Sequence, residues 1–68
     1  MKRHILVVRK AEQTYYIAYP AGDVALLCQA LINFAESQLY NITSADVETI
    51  ITELFNRVDI GEVEEVAL

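Results

Sequence analysis

Hydrophobic positions near the N-terminus form two short segments, Arg3–Arg9 and Thr14–Tyr19, with the polar stretch KAEQT between them. Both segments are rich in β-branched or aromatic residues, which favour an extended backbone. So short a connection between two strands favours antiparallel neighbours. The pattern therefore predicts an N-terminal β-hairpin.

Neither predicted strand alternates between apolar and polar residues. In the first strand, Ile5 and Val7 point to one side while Leu6 and Val8 point to the other, and the second strand is apolar on both sides as well. A strand that is apolar on both faces needs cover on both. One pair of helices covers only one face, so the pattern predicts a second contact.

The stretch Gly22–Tyr40 has the pattern of a helix with an unusually wide apolar face. Its polar side chains form one narrow stripe, made of Gln29, Asn33, Glu36 and Ser37. The remaining arc of roughly 220° is wider than the face that a helix usually turns to a core. Asp23 suits the N-cap of a helix that begins at Val24, and the end is predicted between Gln38 and Asn41.

A second helix is predicted after Ser44, the candidate N-cap, and Gly61 ends its pattern. Its apolar residues recur at i, i+3, i+4, i+7, i+8 and i+11, which is typical of a one-sided amphipathic helix. They are Val47, Ile50, Ile51, Leu54, Phe55 and Val58. The residues predicted to be buried are Leu27, Leu31, Phe34, Ile51, Leu54 and Phe55.

The acidic C-terminal segment, residues 60–68, leaves three structures open. Three glutamates separate Val63 from Val66, a spacing that fits neither a regular strand nor a regular helix. An edge strand, a flexible tail and a short helix all remain, and the strand is favoured because its acids could face the basic hairpin strand. We expect one small α+β domain, residues 1–68, in which the hairpin precedes two antiparallel helices (ββαα), or ββααβ with the edge strand.

Charge is unevenly distributed along the chain. Residues 1–10 hold four basic side chains and no acid, giving +4, and the remainder holds one arginine against ten acids, giving −9, so the net charge is −5. This excess of acid argues against nucleic-acid binding by neutralisation of phosphates. No apolar run approaches the roughly 18 residues of a membrane span. We expect a cytoplasmic protein with no membrane contact.

Residue types that carry catalysis are scarce. His4 and Cys28 are the only histidine and the only cysteine, so neither a disulfide nor a zinc site of common spacing can form within one chain. His4 is expected at the surface, and Cys28 as a buried, unreactive thiol. An enzyme whose site is shared between chains is the least favoured hypothesis. We expect no enzymatic activity, no catalytic or metal-binding residue and no cofactor.

The apolar fraction of 54% exceeds what one core of this size absorbs, since so short a chain buries only about 60% of its unfolded surface. The sequence therefore predicts a protein-interaction module (a regulator, inhibitor or assembly factor) that acts as a homodimer or higher oligomer, or with another protein. The predicted interface is Tyr15, Ile17 and Tyr19, on one face of the second strand, and the opposite face is the alternative.

A second hypothesis is a small DNA-binding dimer. The segment Tyr15–Val58, a strand followed by two helices, is similar in element order to ribbon–helix–helix repressors. Such ribbons present polar or basic side chains to the major groove, whereas YYIAY offers almost none. The acidic composition also leaves open a DNA-mimicking inhibitor, in which carboxylates imitate phosphates.

Overall fold

The computed structural model describes residues 2–68 and has the element order ββααβ. The elements are β1 (Arg3–Lys10), β2 (Gln13–Pro20), α1 (Val24–Glu36), α2 (Ser44–Phe55) and β3 (Val63–Ala67). The predicted α+β class and the order of hairpin and helices are confirmed. Residues 60–68 contain a strand, which was the favoured one of the three structures left open.

The three strands form one mixed sheet in the order β2-β1-β3. β1 pairs antiparallel with β2 and parallel with β3. A parallel pair needs a long connection, and β2 with the two helices supplies it here. The basic first strand is therefore central, and the acidic last strand lies directly beside it.

Both helices lie on the same face of the sheet, and the core lies between the two layers. The buried cluster takes only even-numbered residues from β1 and only odd-numbered residues from β2. It consists of Leu6, Val8, Ile17, Tyr19, Leu27, Leu31, Ile42, Val47, Ile50, Leu54 and Val66. Side chains alternate along a strand, so the opposite set of each strand points away from the helices.

The predicted core residues are buried to different extents. Leu27, Leu31 and Leu54 are buried as predicted, and Phe34 and Ile51 are partly buried against the same cluster. The prediction is wrong for Phe55, which is 54% exposed. Phe55 is the last residue of α2, and its side chain lines the open cleft between the two helices instead of entering the core.

The helix ends differ from the predicted ones by a few residues. Asp23 caps α1 as predicted, since its carboxylate accepts a hydrogen bond from the Leu26 N–H at 3.1 Å. However, α1 ends at Glu36, because the next residue adopts an extended conformation. The N-cap of α2 is Thr43 and not Ser44: Thr43 and Asp46 each accept a hydrogen bond from the other's backbone N–H. Ser44 has no acidic residue three positions later, so it cannot form this reciprocal pair.

Candidate interaction surfaces

The residues predicted as the interface, Tyr15, Ile17 and Tyr19, point towards the helices. Ile17 and Tyr19 are each 5% exposed, and Tyr15 is partly buried against the core. Side chains that are buried within one chain cannot present a surface to a second one. The structure therefore moves the candidate contact surface to the opposite face of the hairpin, which the sequence left as the alternative.

Tyr15 stabilises the helical layer instead. The Tyr15 hydroxyl donates a hydrogen bond to the side chain of Asn41 and accepts one from its backbone N–H at 3.4 Å. The Tyr15 ring also meets the rings of Phe34 and Tyr40 edge-on, with centroids 5.7 and 5.6 Å away. Tyr15 thus fixes the connection between α1 and α2 to the sheet.

The other tyrosine, Tyr19, lies near the opposite end of β2. Its ring packs edge-on against that of His4, at 5.7 Å between centroids. Burial, and to a smaller extent the negative charge of Glu64, raise the pKa of the Tyr19 phenol. Tyr19 therefore stays neutral at physiological pH and serves as a packing residue.

The outer sheet face is the surface that the helices leave uncovered. It consists of Arg3, Ile5, Val7, Arg9, Thr14, Tyr16, Ala18, Val63, Glu65 and Ala67. Ile5 lies between Ala18 and Val63 on the neighbouring strands, whereas Val7, between Tyr16 and Glu65, is only 8% exposed. Tyr16 is 69% exposed and Val63 is 63% exposed. The centre of this face is a continuous apolar patch three strands wide.

Charged side chains lie at both ends of that patch. Arg9 forms an ion pair with Glu65, so the sequence-based expectation that tail acids face the basic strand is met here. Arg3 forms no ion pair with any of the residues 2–68. An apolar centre with a polar rim is the usual anatomy of a protein–protein interface.

A second surface, the β2 flank, runs along the free edge of β2 and the side of α1 beneath it. Its apolar side chains are Leu26, Ala30, Phe34 and Tyr40. α1 packs against β2, and its other side, at Val24 and Cys28, faces α2. Leu26 is 51% exposed and the exposed Asn33 lies beside Ala30 and Phe34, so this side of α1 is uncovered and largely, though not wholly, apolar.

A cleft of about 360 Å³ opens between the two helices. Leu27 and Cys28 of α1 and Ile51 and Phe55 of α2 line it, and the chain after α2 closes one side. Cys28 is partly buried here, which is more exposed than the sequence predicted. A few ionisable side chains also lie among the apolar walls of the cleft, namely those of His4, Tyr19, Arg57 and Asp59.

Two ion pairs join distant parts of the chain. Lys10 contacts Asp46 and donates to the Asn41 carbonyl at 2.6 Å, which ties the hairpin turn to α2. The hydrogen bond from Lys10, followed by that from the Thr43 N–H, lowers the pKa of the Asp46 carboxyl. At the other end, hydrogen bonds from Arg57 and then from the Gly61 N–H lower the pKa of Glu64.

These lowered pKa values predict a loss of stability in acid. A carboxyl whose pKa is lower in the folded chain stabilises it fully above the unfolded value of about 4, and this stabilisation disappears as the pH falls through the folded pKa. We expect the melting temperature to fall below about pH 4.5, and to fall less in a double variant with Asp46→Asn and Glu64→Gln. Thermal unfolding across pH 2.5–7 measures how the melting temperature changes with pH, with Glu12→Gln in the exposed hairpin turn as the control. Parallel profiles for the double variant and the parent would contradict this prediction.

Metal sites and membrane-spanning helices are two other features that could indicate a function. Within residues 2–68, no three histidine, cysteine or acidic side chains cluster as metal ligands would, and no helix is both long and apolar enough to cross a membrane. No protein-family model matches the chain, and no similar characterised protein or solved structure is found. Function is therefore inferred from the exposed surfaces themselves.

Proposed function

We propose that this protein is a small protein-interaction module, a regulator, inhibitor or assembly factor, that binds another protein through the outer sheet face. The observation that carries this proposal is the apolar patch around Ile5, Tyr16 and Val63, which no helix or strand within residues 2–68 covers. A contiguous exposed apolar patch with a polar rim usually marks an interaction site. Binding a partner would supply the second cover that the sheet lacks.

The composition of the patch indicates what kind of partner it fits. Tyr16 projects from the centre of β2, and tyrosine is favoured at interfaces because its ring is large, stiff and amphipathic. Arg3 adds a positive charge at one end that no described residue neutralises. The complementary surface is thus a flat apolar one, with an acidic group at its border.

The DNA-related alternatives receive less support. β2 is paired with β1 along its whole length, and its outer side chains Thr14, Tyr16 and Ala18 carry no charge to meet phosphates. A DNA mimic needs a row of free carboxylates, whereas those that form no ion pair within residues 2–68, such as Glu12, Glu36 and Glu48, belong to separate segments of the chain. Protein binding accounts for the apolar patch, and neither alternative does.

A capture experiment with two matched variants tests the proposal. Val63→Lys places a charge on the outer sheet face, far from β2, while Val58→Lys places the same charge on a fully exposed side chain outside the sheet. From a lysate of the native host, the tagged parent and Val58→Lys should retain the same stoichiometric partner. Val63→Lys should retain at least tenfold less, with an unchanged melting temperature.

Two results would count against this function. Equal recovery of the partner by Val63→Lys and the parent would show that the outer sheet face is not the binding surface. Recovery of no stoichiometric protein by the parent, under conditions that preserve weak complexes, would remove the reason to assign a protein partner at all.

A further inference from the structure

The free edge of β2 has backbone groups without partners. A two-residue turn joins β1 to β2, and the register makes Lys10 and Gln13 the pair that closes it. Hydrogen-bonded pairs alternate along an antiparallel ladder, so every second residue of β2, including Ile17, bonds to β1. Ala21 follows the same alternation, since its N–H donates a hydrogen bond of 3.0 Å to the Lys2 carbonyl. The intervening residues of β2 therefore direct their N–H and C=O groups away from the sheet.

Those outward residues are Thr14, Tyr16 and Ala18, followed by Pro20. Pro20 has no N–H and so leaves no donor exposed there. None of the outward N–H or C=O groups of the first three residues has a hydrogen-bond partner in the described chain. The edge thus presents three donors and three acceptors in one row, a template for another strand.

The two edges of the sheet differ in how they are protected against pairing. β3 has only five residues and carries Glu64 and Glu65, and shortness and charge are two common ways in which proteins protect an edge strand. β2 has eight residues, none of them charged, and pairs with β1 in an unbroken register without a bulge. Apart from Pro20 at its end, β2 therefore lacks the protection that β3 has.

The helix beneath this edge is also open on the same side. The apolar arc of α1 divides into a part that faces β2, a part that faces α2, and the part on the β2 flank. Leu26 is 51% exposed there, and Tyr40 is 43% exposed while its ring packs 4.7 Å from that of Phe34. The apolar side of α1 on the β2 flank explains why the polar stripe of this helix is so narrow.

We infer that the β2 flank is a two-fold contact with a second copy of this chain. In this contact β2 pairs antiparallel with the same strand of the other copy, and the two α1 helices pack side by side beneath one continuous six-stranded sheet. Pairing Tyr16 with its own equivalent, and Thr14 with Ala18 of the other copy, uses every outward backbone group. This inference deepens the proposed function and rests on it for the use of the outer sheet face, which the second copy would double in width.

Charge supports a second copy as the occupant. A two-fold contact brings each residue near its own equivalent, so like charges at its centre would repel. β2 carries no charge, and on α1 only Glu36, at the C-terminal end, does. Two-fold pairing of β3 with its own equivalent would bring the glutamates of the two copies together, where they would repel. The β2 flank can thus pair with itself without a charged partner.

The size of the molecule indicates how much of the flank takes part. A stable interface of standard size buries roughly 800 Å² of accessible surface per partner. The largest side of this molecule measures 31 by 21 Å between Cα atoms, or about 650 Å² in projection. The edge of a single strand covers only a small part of the area that a stable interface buries. The contact therefore requires the apolar side of α1 as well.

Sedimentation equilibrium of the full chain from 1 to 200 µM tests this contact. We expect the parent to reach twice the monomer mass of 7.7 kDa. Leu26→Lys should weaken the dimer at least tenfold by placing a charge on the flank. Ala18→Pro should also weaken the dimer, because it removes one outward N–H that the second copy would use. The hairpin should stay intact, since that N–H does not bond to β1. Val63→Lys, on the outer sheet face away from β2, should leave the dimer intact.

Three outcomes would overturn the inference. The first is a parent that stays monomeric at 200 µM. The second is a dimer that Val63→Lys dissociates while Leu26→Lys does not, which would place the contact on the outer sheet face. The third is exchange of the Thr14, Tyr16 and Ala18 amides that is equally fast at low and high concentration of the parent; this measurement also decides the matter if Ala18→Pro fails to fold. Loss of partner capture by a Val63→Lys variant that remains dimeric supports the proposed function separately.

Discussion

The variant Leu54→Ala should be largely unfolded at room temperature. Leu54 is 2% exposed and belongs to the buried cluster between the helices and the sheet. Truncating a buried leucine to alanine costs about 2–5 kcal/mol, because apolar contacts are lost and a cavity remains. A chain of this length has a free energy of unfolding of only about 3–10 kcal/mol. Urea unfolding followed by circular dichroism, at one fixed protein concentration, measures the difference.

Phe55→Ala is the matched control, since Phe55 is the next residue of the same helix and 54% exposed. Its loss of unfolding free energy should be less than half of that for Leu54→Ala. Equal losses would show that α2 docks on the sheet with a different face from the one described.

The variant Val66→Asp should abolish cooperative unfolding. Val66 is the residue of β3 that enters the core, at 1% exposure, and it lies opposite Val8 in the central strand. Burying an unpaired carboxylate costs several kcal/mol, so the strand would detach rather than keep it in the core. Detachment would also expose the free edge of β1 and remove the ion pair between Arg9 and Glu65.

Val63→Asp is the control for that variant, because Val63 lies in the same strand but is 63% exposed on the outer sheet face. It should melt within a few degrees of the parent. A Val66→Asp variant that unfolds as cooperatively as Val63→Asp would contradict the placement of β3 in the sheet. Deletion of residues 62–68 should reproduce the effect of Val66→Asp. In the parent, the Val66 amide should exchange slowly with solvent.

The hairpin and both helices could be predicted because their signals are local. Two β-branched segments with a short connection, and an apolar repeat with a cap at its start, depend on few residues. The pairing of β3 with β1 could only be favoured, since it joins residues about 58 positions apart in the chain. The charges of Arg9 and Glu65 were the available signal for it, and they do meet.

The face of the hairpin that turns to the helices could also have been predicted. Arg3 and Arg9 have the same parity as Ile5 and Val7, and the hairpin register places them with Tyr16. Burying two arginines beneath the helices would be costly, whereas the other set places only His4 and, at the end of the strand, Lys10 on that side. The arginine set is therefore the better one to face outward. Tyr15, Ile17 and Tyr19 looked like an interface because tyrosine is common at interfaces, but the same residues fill a core equally well.

The narrow polar stripe of α1 raised a question that the fold answers. A helix that only packs on a sheet and on one neighbouring helix needs two apolar sides, and α1 has a third. That side adjoins the unprotected edge of β2. Part of the excess of apolar residues thus lies on the β2 flank and the outer sheet face, and the rest, including Ile32, Leu39 and Val58, is exposed outside both surfaces.

Site-specific photo-cross-linking tests most directly whether the outer sheet face binds another protein. A photoreactive benzoylphenylalanine in place of Val63 reports on that face, and the same residue in place of Val58 reports on an exposed site outside the sheet. In cells of the native host, we expect position 63 to give one dominant cross-linked product with another protein and position 58 to give none. A product pattern that is the same at both positions, or the absence of any product at position 63, would contradict the proposed function.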